Sequence, residues 1–215
     1  MVYTAIFGGY DQLNDPRIKP DGVDFVCFTD GDLKSDVWQI RKVPPLYDDA
    51  TRSARKFKVL PHRWFPEYDV SIWIDGNKVL RGNTLNYLYQ LGNDQLAVFD
   101  HMKCRDKWNC VYDEAKAILR IGKDDAGIVL SQIGRYRADG YPENNGQAFT
   151  CVVVRRHNAS DVNRIMEDWW AEIKTGSKRD QLSLNFVCWK NNYDIKYLSG
   201  DGRNDGIITH RAHSN

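Results

Sequence analysis

Ser71-Ile72-Trp73-Ile74-Asp75-Gly76-Asn77 is the stretch on which the reading of this chain turns. An apolar strand ends abruptly in an acid, a glycine and a second oxygen donor. A strand leaving a core sets Asp75 down at a sheet edge, and Gly76 lets the backbone turn and a bulky group come close. Asp75 and Asn77, two apart, can aim a carboxylate and an amide oxygen at one hard cation such as magnesium or manganese. Such a cation bridges to a diphosphate and takes up charge as the bond to it breaks. An ordinary strand followed by an Asp-Gly turn would contain the same residue types. The decision therefore rests on what surrounds the stretch.

Working outward, apolar runs predict strands at 3–7, 24–28, 38–42, 70–74, 95–99 and 149–154. Several are continuous rather than alternating, the mark of strands buried on both faces. Helical spacing predicts helices at 51–60, 84–91, 111–119, 123–133, 159–173 and 179–189. Strand and helix alternate through the first half, so the fold class expected is α/β with a mixed, mostly parallel central sheet flanked by helices. Polar, Gly-rich loops fall at 8–22, 43–50, 138–148 and 199–206, and the tail at 199–215 has little periodicity. In an open α/β sheet, ligands bind beyond the carboxyl ends of strands. Those ends carry Gly8, Gly9, Tyr10 and Asp11, then Thr29 and Asp30, then Asp75 to Asn77, then Asp100 and His101.

The chain's 215 residues suit one domain over 1–215, with a nucleotide-binding half at about 1–100 and an acceptor- and sugar-binding half at about 101–215. A net charge of +1 gives no global case for nucleic acid or a membrane surface as partner. No apolar run approaches the ~20 residues of a membrane span. The five cysteines, Cys27, Cys104, Cys110, Cys151 and Cys188, match no zinc spacing and read as buried free thiols. With no export signal at the N-terminus, a reducing, cytoplasmic setting is the expectation.

Five groups of residues carry possible chemistry. Arg52, Arg55, Lys56 and Lys58 lie on the helix before the Asp75 strand, and Arg55 and Lys58 suit a diphosphate, although a solvated basic face would look alike. Tyr141-Pro142-Glu143-Asn144-Asn145-Gly146-Gln147 offers amides for sugar hydroxyls and is also an Asn-Gly turn. Asp180 and Gln181 open a helix, where Asp180 is either a cap or a charge held near an anomeric carbon. His210, placed ahead of His213 because Ile207-Ile208 docks the chain before it, would complete a metal site with Asp75 and Asn77. His101 and Arg105 after the fifth strand are weaker contacts to acceptor or phosphate.

In this order the features resemble nucleotide-sugar glycosyltransferases of the GT-A (Rossmann-like) fold, the group marked by an Asp-x-Asp motif. Within it, the layout is similar to the retaining glycogenin and galactosyltransferase-like family. A nearer resemblance is to a branch found in plants, bacteria and large viruses. It rests on Phe7-Gly8-Gly9-Tyr10-Asp11, Phe25-Val26-Cys27-Phe28-Thr29-Asp30, Ile72-Trp73-Ile74-Asp75-Gly76, Trp169-Trp170 and Arg179-Asp180-Gln181-Leu182-Ser183. The resemblance implies metal-dependent transfer of a hexose, glucose- or rhamnose-like, from a UDP-sugar to a hydroxyl of a glycan or glycoprotein acceptor, with retention. It implies donor contacts from Gly8, Tyr10, Asp11, Asp30, Arg55, Lys58, Asp75, Gly76, Asn77, Asn144, Asn145 and Gly146. It also implies catalytic roles for Asp180 and Gln181, and manganese or magnesium on Asp75, Asn77 and His210. Asn77 departs from the motif's second acid, and a neutral amide is a weaker ligand. A sugar nucleotidyltransferase would share an acid-bound metal but calls for a Gly-rich, Lys-containing loop that is not found. A non-catalytic carbohydrate- or protein-binding module would accommodate Asn77.

Overall fold

The computed structural model describes residues 1–105 and 107–213; the last two residues of the expected tail lie outside them. Among the described residues, seven strands form the main sheet: β1 (Val2–Ile6), β2 (Phe25–Thr29), β3 (Gln39–Lys42), β4 (Ser71–Ile74), β6 (Leu96–Asp100), β7 (Ala148–Arg155) and β8 (Lys196–Leu198). Their order is β3-β2-β1-β4-β7-β6-β8. The β1–β2, β1–β4, β2–β3 and β6–β8 pairings are parallel, and β7 runs antiparallel between β4 and β6. This is the mixed, mostly parallel sheet expected from the sequence. Every residue of β1, β2 and β4 is buried, which is why these strands read as unbroken apolar runs.

Helices cover both faces. One face packs Tyr3, Trp73, Phe57 and Trp169 with α1 (Ala50–Val59), α4 (Val111–Arg120), α5 (Ala126–Ala138), α6 (Ser160–Thr175) and α7 (Leu184–Lys190). The other packs Ile6, Trp38, Tyr87 and Phe99, with α3 (Leu85–Leu91) over the sheet. α2 (Pro61–Trp64) is a single turn after α1. All five cysteines are free and buried. Among the described residues, no helix is long and apolar enough to cross a membrane.

Three differences from the sequence reading have local causes. The helix expected at 123–133 begins at Ala126, because the Asp125 carboxylate accepts from Ile128 N at 2.9 Å and caps it there. The helix expected at 179–189 is broken into a 3₁₀ turn, Asp180–Leu182, and α7, with Ser183 at φ −117° between them. The tail is not irregular: Ile208–His210 forms β9, antiparallel to β5 (Lys78–Leu80) in a two-stranded ribbon beside the main sheet. Strands of three residues are too short to show a period.

Arg155, at the end of β7, is wholly buried. It donates to Tyr3 Oη and to the Lys58 carbonyl, and to Met166 Sδ at 3.0 Å, so that β1, α1 and α6 meet on one guanidinium. Tyr3 Oη also donates to the Lys58 carbonyl at 2.6 Å, fixing the backbone of the residue that reaches the site. Burial lowers the Arg155 pKa, with Tyr3 opposing. Arg155→Ala, which opens a cavity and removes those donors, is expected to cost about 3 kcal/mol in urea denaturation. Arg155→Met should cost well under half of that, because it fills the space, removes a buried charge and leaves the Tyr3–Lys58 bond in place. Equal losses in the two variants would show that the fold needs the cation itself.

Candidate active site

β4 delivers Asp75 to the sheet edge, where Asp75 N donates to the Cys151 carbonyl of β7 at 2.9 Å. The side chain is fixed by the strand that precedes it: Trp73 Nε1 donates to Asp75 Oδ1 at 2.7 Å. α1 supplies two cations at positions three apart, hence on one helical face. Lys58 Nζ lies 3.0 Å from Asp75 Oδ1 and 2.7 Å from Asp180 Oδ2. Arg55 Nε lies 2.7 Å from Asp180 Oδ1, and Arg55 Nη1 lies 3.8 Å from Asp75 Oδ1. Thr150 Oγ1 on β7 donates to Asp180 Oδ2 at 2.7 Å. Four charges thus form one compact group in which Lys58 has no exposed surface, the Asp180 side chain is 3% exposed and the Asp75 side chain 24%.

The electrostatics follow from that packing. Burial pushes the Asp180 pKa up, but Arg55 and Lys58 outweigh it and hold the carboxyl well below the usual range. Burial also opposes ionisation of Asp75, and Lys58 with Arg55 again lowers it. Both groups are carboxylates at neutral pH. Asp180 is not the helix cap that its position suggested. Arg179 occupies the cap position of the 3₁₀ turn, and the Asp180 side chain is given to the cations. The loop before it is anchored: Ser177 N donates to Gln132 Oε1 at 2.7 Å, and Lys178 N to Asp124 Oδ2 at 2.8 Å.

The group sits in a cleft of about 350 Å³ beyond the ends of β1 and β4. Of the residues singled out in the sequence, Tyr10, Asp11, Arg55, Asp75, Gly76, Asn77, Asp180, Gln181 and His210 line it. Lys58 touches it only through Asp75 and Asp180. Gly8 and Asp30 hold each other, Gly8 N donating to the Asp30 carboxylate at 3.0 Å, so this pair shapes the turn after β1. Asn144 (φ 56°) and Gly146 (φ 83°) form a left-handed turn, with Asn144 and Asn145 exposed. A Cβ on Gly146 would stand 2.8 Å from Tyr197 Oη, so close packing accounts for this glycine. His101 is buried and stacked on Trp108 at 4.1 Å, and Arg105 is exposed. Gly76 makes room for a neighbour inside the protein, since a Cβ there would lie 3.0 Å from Asp11 Oδ2.

His213, placed second in the sequence reading, stands at the motif's amide. Its Nδ1 lies 2.8 Å from Asp11 Oδ1, its Nε2 lies 3.2 Å from Asn77 Nδ2, and its ring is 4.5 Å from that of Tyr10. With the Asn77 amide nitrogen turned to His213, Asn77 Oδ1 is left buried and, among the described residues, without a hydrogen-bond partner. Burial raises the Asp11 pKa, with His213 opposing. His210 Nδ1 lies 3.5 Å from Lys78 Nζ, and burial, with Lys78 next, lowers its pKa. Among the described residues, no three His, Cys, Asp or Glu side chains are grouped to hold a metal. Magnesium and manganese bound with a diphosphate need fewer protein ligands, one or two carboxylates with phosphate and water completing the shell. Asp75 with the unpartnered Asn77 oxygen fits that requirement.

Sequence reasoning missed Lys78, Thr150, Phe149, Cys151, Lys123, Arg179 and Arg203. All but Thr150 line the cleft, and Thr150 orients Asp180. Lys78 follows Asn77 and Arg179 precedes Asp180, so both were legible as motif neighbours; Phe149, Thr150 and Cys151 come with the β7 reversal, Arg203 with the tail and Lys123 with the loop before α5.

Comparison with known proteins shows the family. The family described as TOD1/MUCI70, glycosyltransferase-like domain, matches residues 28–199. A probable hexosyltransferase of Arabidopsis thaliana, MUCI70, is 27% identical over 99% of this chain and 42% of its own length. The chain therefore spans less than half of the curated relative it matches. Among solved structures, the apo form of the WbbM bifunctional glycosyltransferase aligns with 92% of this chain and 38% of its own at a TM-score of 0.46 and 11% identity. A glycosyltransferase involved in glycosylation of the major capsid of PBCV-1 aligns with 81% of this chain and 77% of its own at a TM-score of 0.43 and 10% identity.

The charge group makes stability depend on acid. A carboxyl whose pKa is lowered on folding contributes stability that is complete above its unfolded value, about 3.9, and is lost as pH falls through the folded value. Asp180 and Asp75 both have this sign, so the protein should lose stability steadily below about pH 4. Asp180→Asn leaves Lys58 and Arg55 short of one partner and should cost about 3 kcal/mol at pH 7. The cost should shrink toward pH 2, and urea titrations at several pH values measure it. A pH-independent difference would show that Asp180 acts through shape, not charge.

Proposed function

We propose that this chain, which belongs to the TOD1/MUCI70 family of glycosyltransferase-like domains, transfers a hexosyl group from a UDP-sugar to a hydroxyl of a glycan or glycoprotein. The observation that carries the reading is the pairing, in one cleft, of a strand-end carboxylate held ionised by buried cations with a buried, unpartnered amide oxygen two residues on. The match to a probable hexosyltransferase supports a hexose as the group moved.

In this reading Asp75 and Asn77 hold manganese or magnesium, with His210 on the same rim. The bound cation supplies charge neutralisation for the diphosphate as it leaves. The chain's own residues do the rest. Lys58 and Arg55 keep Asp75 and Asp180 anionic inside a site from which water is largely excluded. Asp180 presents a fixed negative charge where positive charge grows at the anomeric carbon. Both of its oxygens are engaged, Oδ1 with Arg55 and Oδ2 with Lys58 and Thr150, so it stabilises charge and is not free to attack. This suits a retaining transfer with no protein nucleophile. Gln181, half-buried beside it, offers an amide to sugar hydroxyls. Tyr10, 39% exposed at the rim, offers a ring face to the uracil base, on the side where His213 now lies. Asn77 in place of a second acid favours a second reading, a carbohydrate-binding module without turnover, which slow manganese-dependent hydrolysis of the UDP-sugar would exclude.

The metal assignment is tested by thermal shift with UDP, with and without manganese. At a hundred times its dissociation constant a ligand stabilises by about 2.7 kcal/mol, so the shift is readily seen. In the parent protein, manganese should enlarge the UDP shift. In Asp75→Ala the UDP shift should be the same with and without manganese. An undiminished manganese effect in the variant would place the metal elsewhere.

A further inference from the structure

The cations nearest the motif are already spoken for. Lys58 and Arg55 face Asp75 and Asp180 at 2.7–3.8 Å, two positive charges against two negative. Asp11 adds a further acid to the same cleft. A diphosphate entering here would meet no surplus of positive charge from that group, and one divalent cation bound among the acids would leave a surplus of only one, less than the charge a diphosphate carries.

Lys78 differs. It is 6% exposed, lines the cleft, and sits at the start of β5, one residue beyond Asn77. Its ammonium donates to the Gly202 carbonyl at 3.1 Å, lies 3.5 Å from His210 Nδ1 and stands 5.3 Å from the centre of the Phe149 ring. None of these groups is an anion. An ammonium carries three donors, and the carbonyl and the imidazole account for two. Burying an ammonium among neutral partners is costly unless a counter-charge arrives. The stem is fixed by the ribbon, in which Lys78 pairs with His210 across from β9, so the charge is held in place before any ligand binds. Arg203 lines the same wall, its guanidinium 5.9 Å from the Phe149 ring.

We propose that Lys78, on the β5–β9 ribbon, is the residue that binds the donor's diphosphate, while Arg55 and Lys58 serve the carboxylates. The inference rests on the reading of the cleft as a nucleotide-sugar site. It changes which residues recognise phosphate: the ribbon closed by the tail, and not the helix before the motif.

Calorimetric titration of uridine, UDP and inorganic pyrophosphate, all with manganese, tests it in the parent, Lys78→Met and Lys78→Arg proteins. Lys78→Met keeps the length of the stem and should weaken UDP and pyrophosphate about tenfold or more, the scale of a charged hydrogen bond. Uridine should bind it as it binds the parent, which also reports that the cleft is intact. Lys78→Arg should recover most of the lost affinity. If Lys78→Met binds UDP and pyrophosphate like the parent, the inference is wrong. If pyrophosphate binding depends on Lys78 but uridine adds nothing to it, the phosphate site stands and the nucleotide-sugar reading falls.

Discussion

Lys58 is buried without exposed surface between two carboxylates, and the rest of the site depends on that contact. An ammonium removed from water is tolerated only where anions and hydrogen bonds replace its hydration. Asp75, Asp180 and Thr150 do so, and they come from β4, the 3₁₀ turn before α7, and β7. One lysine therefore brings together segments distant in sequence. With Arg55 it also keeps both acids ionised, since each would otherwise be driven toward its neutral form by burial. Under the proposed function the same four charges serve both folding and chemistry.

The scaffold behind Lys58 is built to hold it. Tyr3 and Arg155 both donate to the Lys58 carbonyl, so β1 and β7 clamp the helix backbone at the residue that carries the ammonium. The reversal of β7 places Thr150 and Cys151 next to the end of β4, which an all-parallel sheet would leave to a loop. The ribbon of β5 and β9 closes the opposite wall with Lys78 and His210. The charged centre of the cleft is then held by strand ends, α1 and a ribbon, elements stiffer than loops, as a preorganised electrostatic site requires.

Much of this was legible in the chain. The buried strands β1, β2 and β4 announced themselves as continuous apolar runs, and the abrupt Asp75-Gly76-Asn77 ending pointed to the sheet edge where the cleft lies. For Asp180 the sequence left cap and fixed charge open, because whether a carboxylate turns to its own backbone or to a distant cation is set by tertiary packing, which here turns it to Arg55 and Lys58. Gly76 was read as making way for a ligand, whereas Asp11 occupies that space, and Gly146, expected as a donor contact in an Asn-Gly turn, packs against Tyr197. The three-residue strands β5, β8 and β9 were invisible for want of a period, and with β5 and β9 went the ribbon that holds Lys78. His101 and Arg105 followed a correctly placed strand, but His101 turns inward to stack on Trp108.

The central claim is that a divalent cation and a diphosphate meet between Asp75, Asn77 and the β5–β9 ribbon. Crystals grown with manganese and UDP test this most directly, through the anomalous scattering of the metal. The account predicts a single strong anomalous peak within bonding distance of an Asp75 carboxylate oxygen and Asn77 Oδ1, with phosphate oxygens on its far side. Manganese bound elsewhere, or a diphosphate seated in the cleft with no metal between it and Asp75, would contradict it.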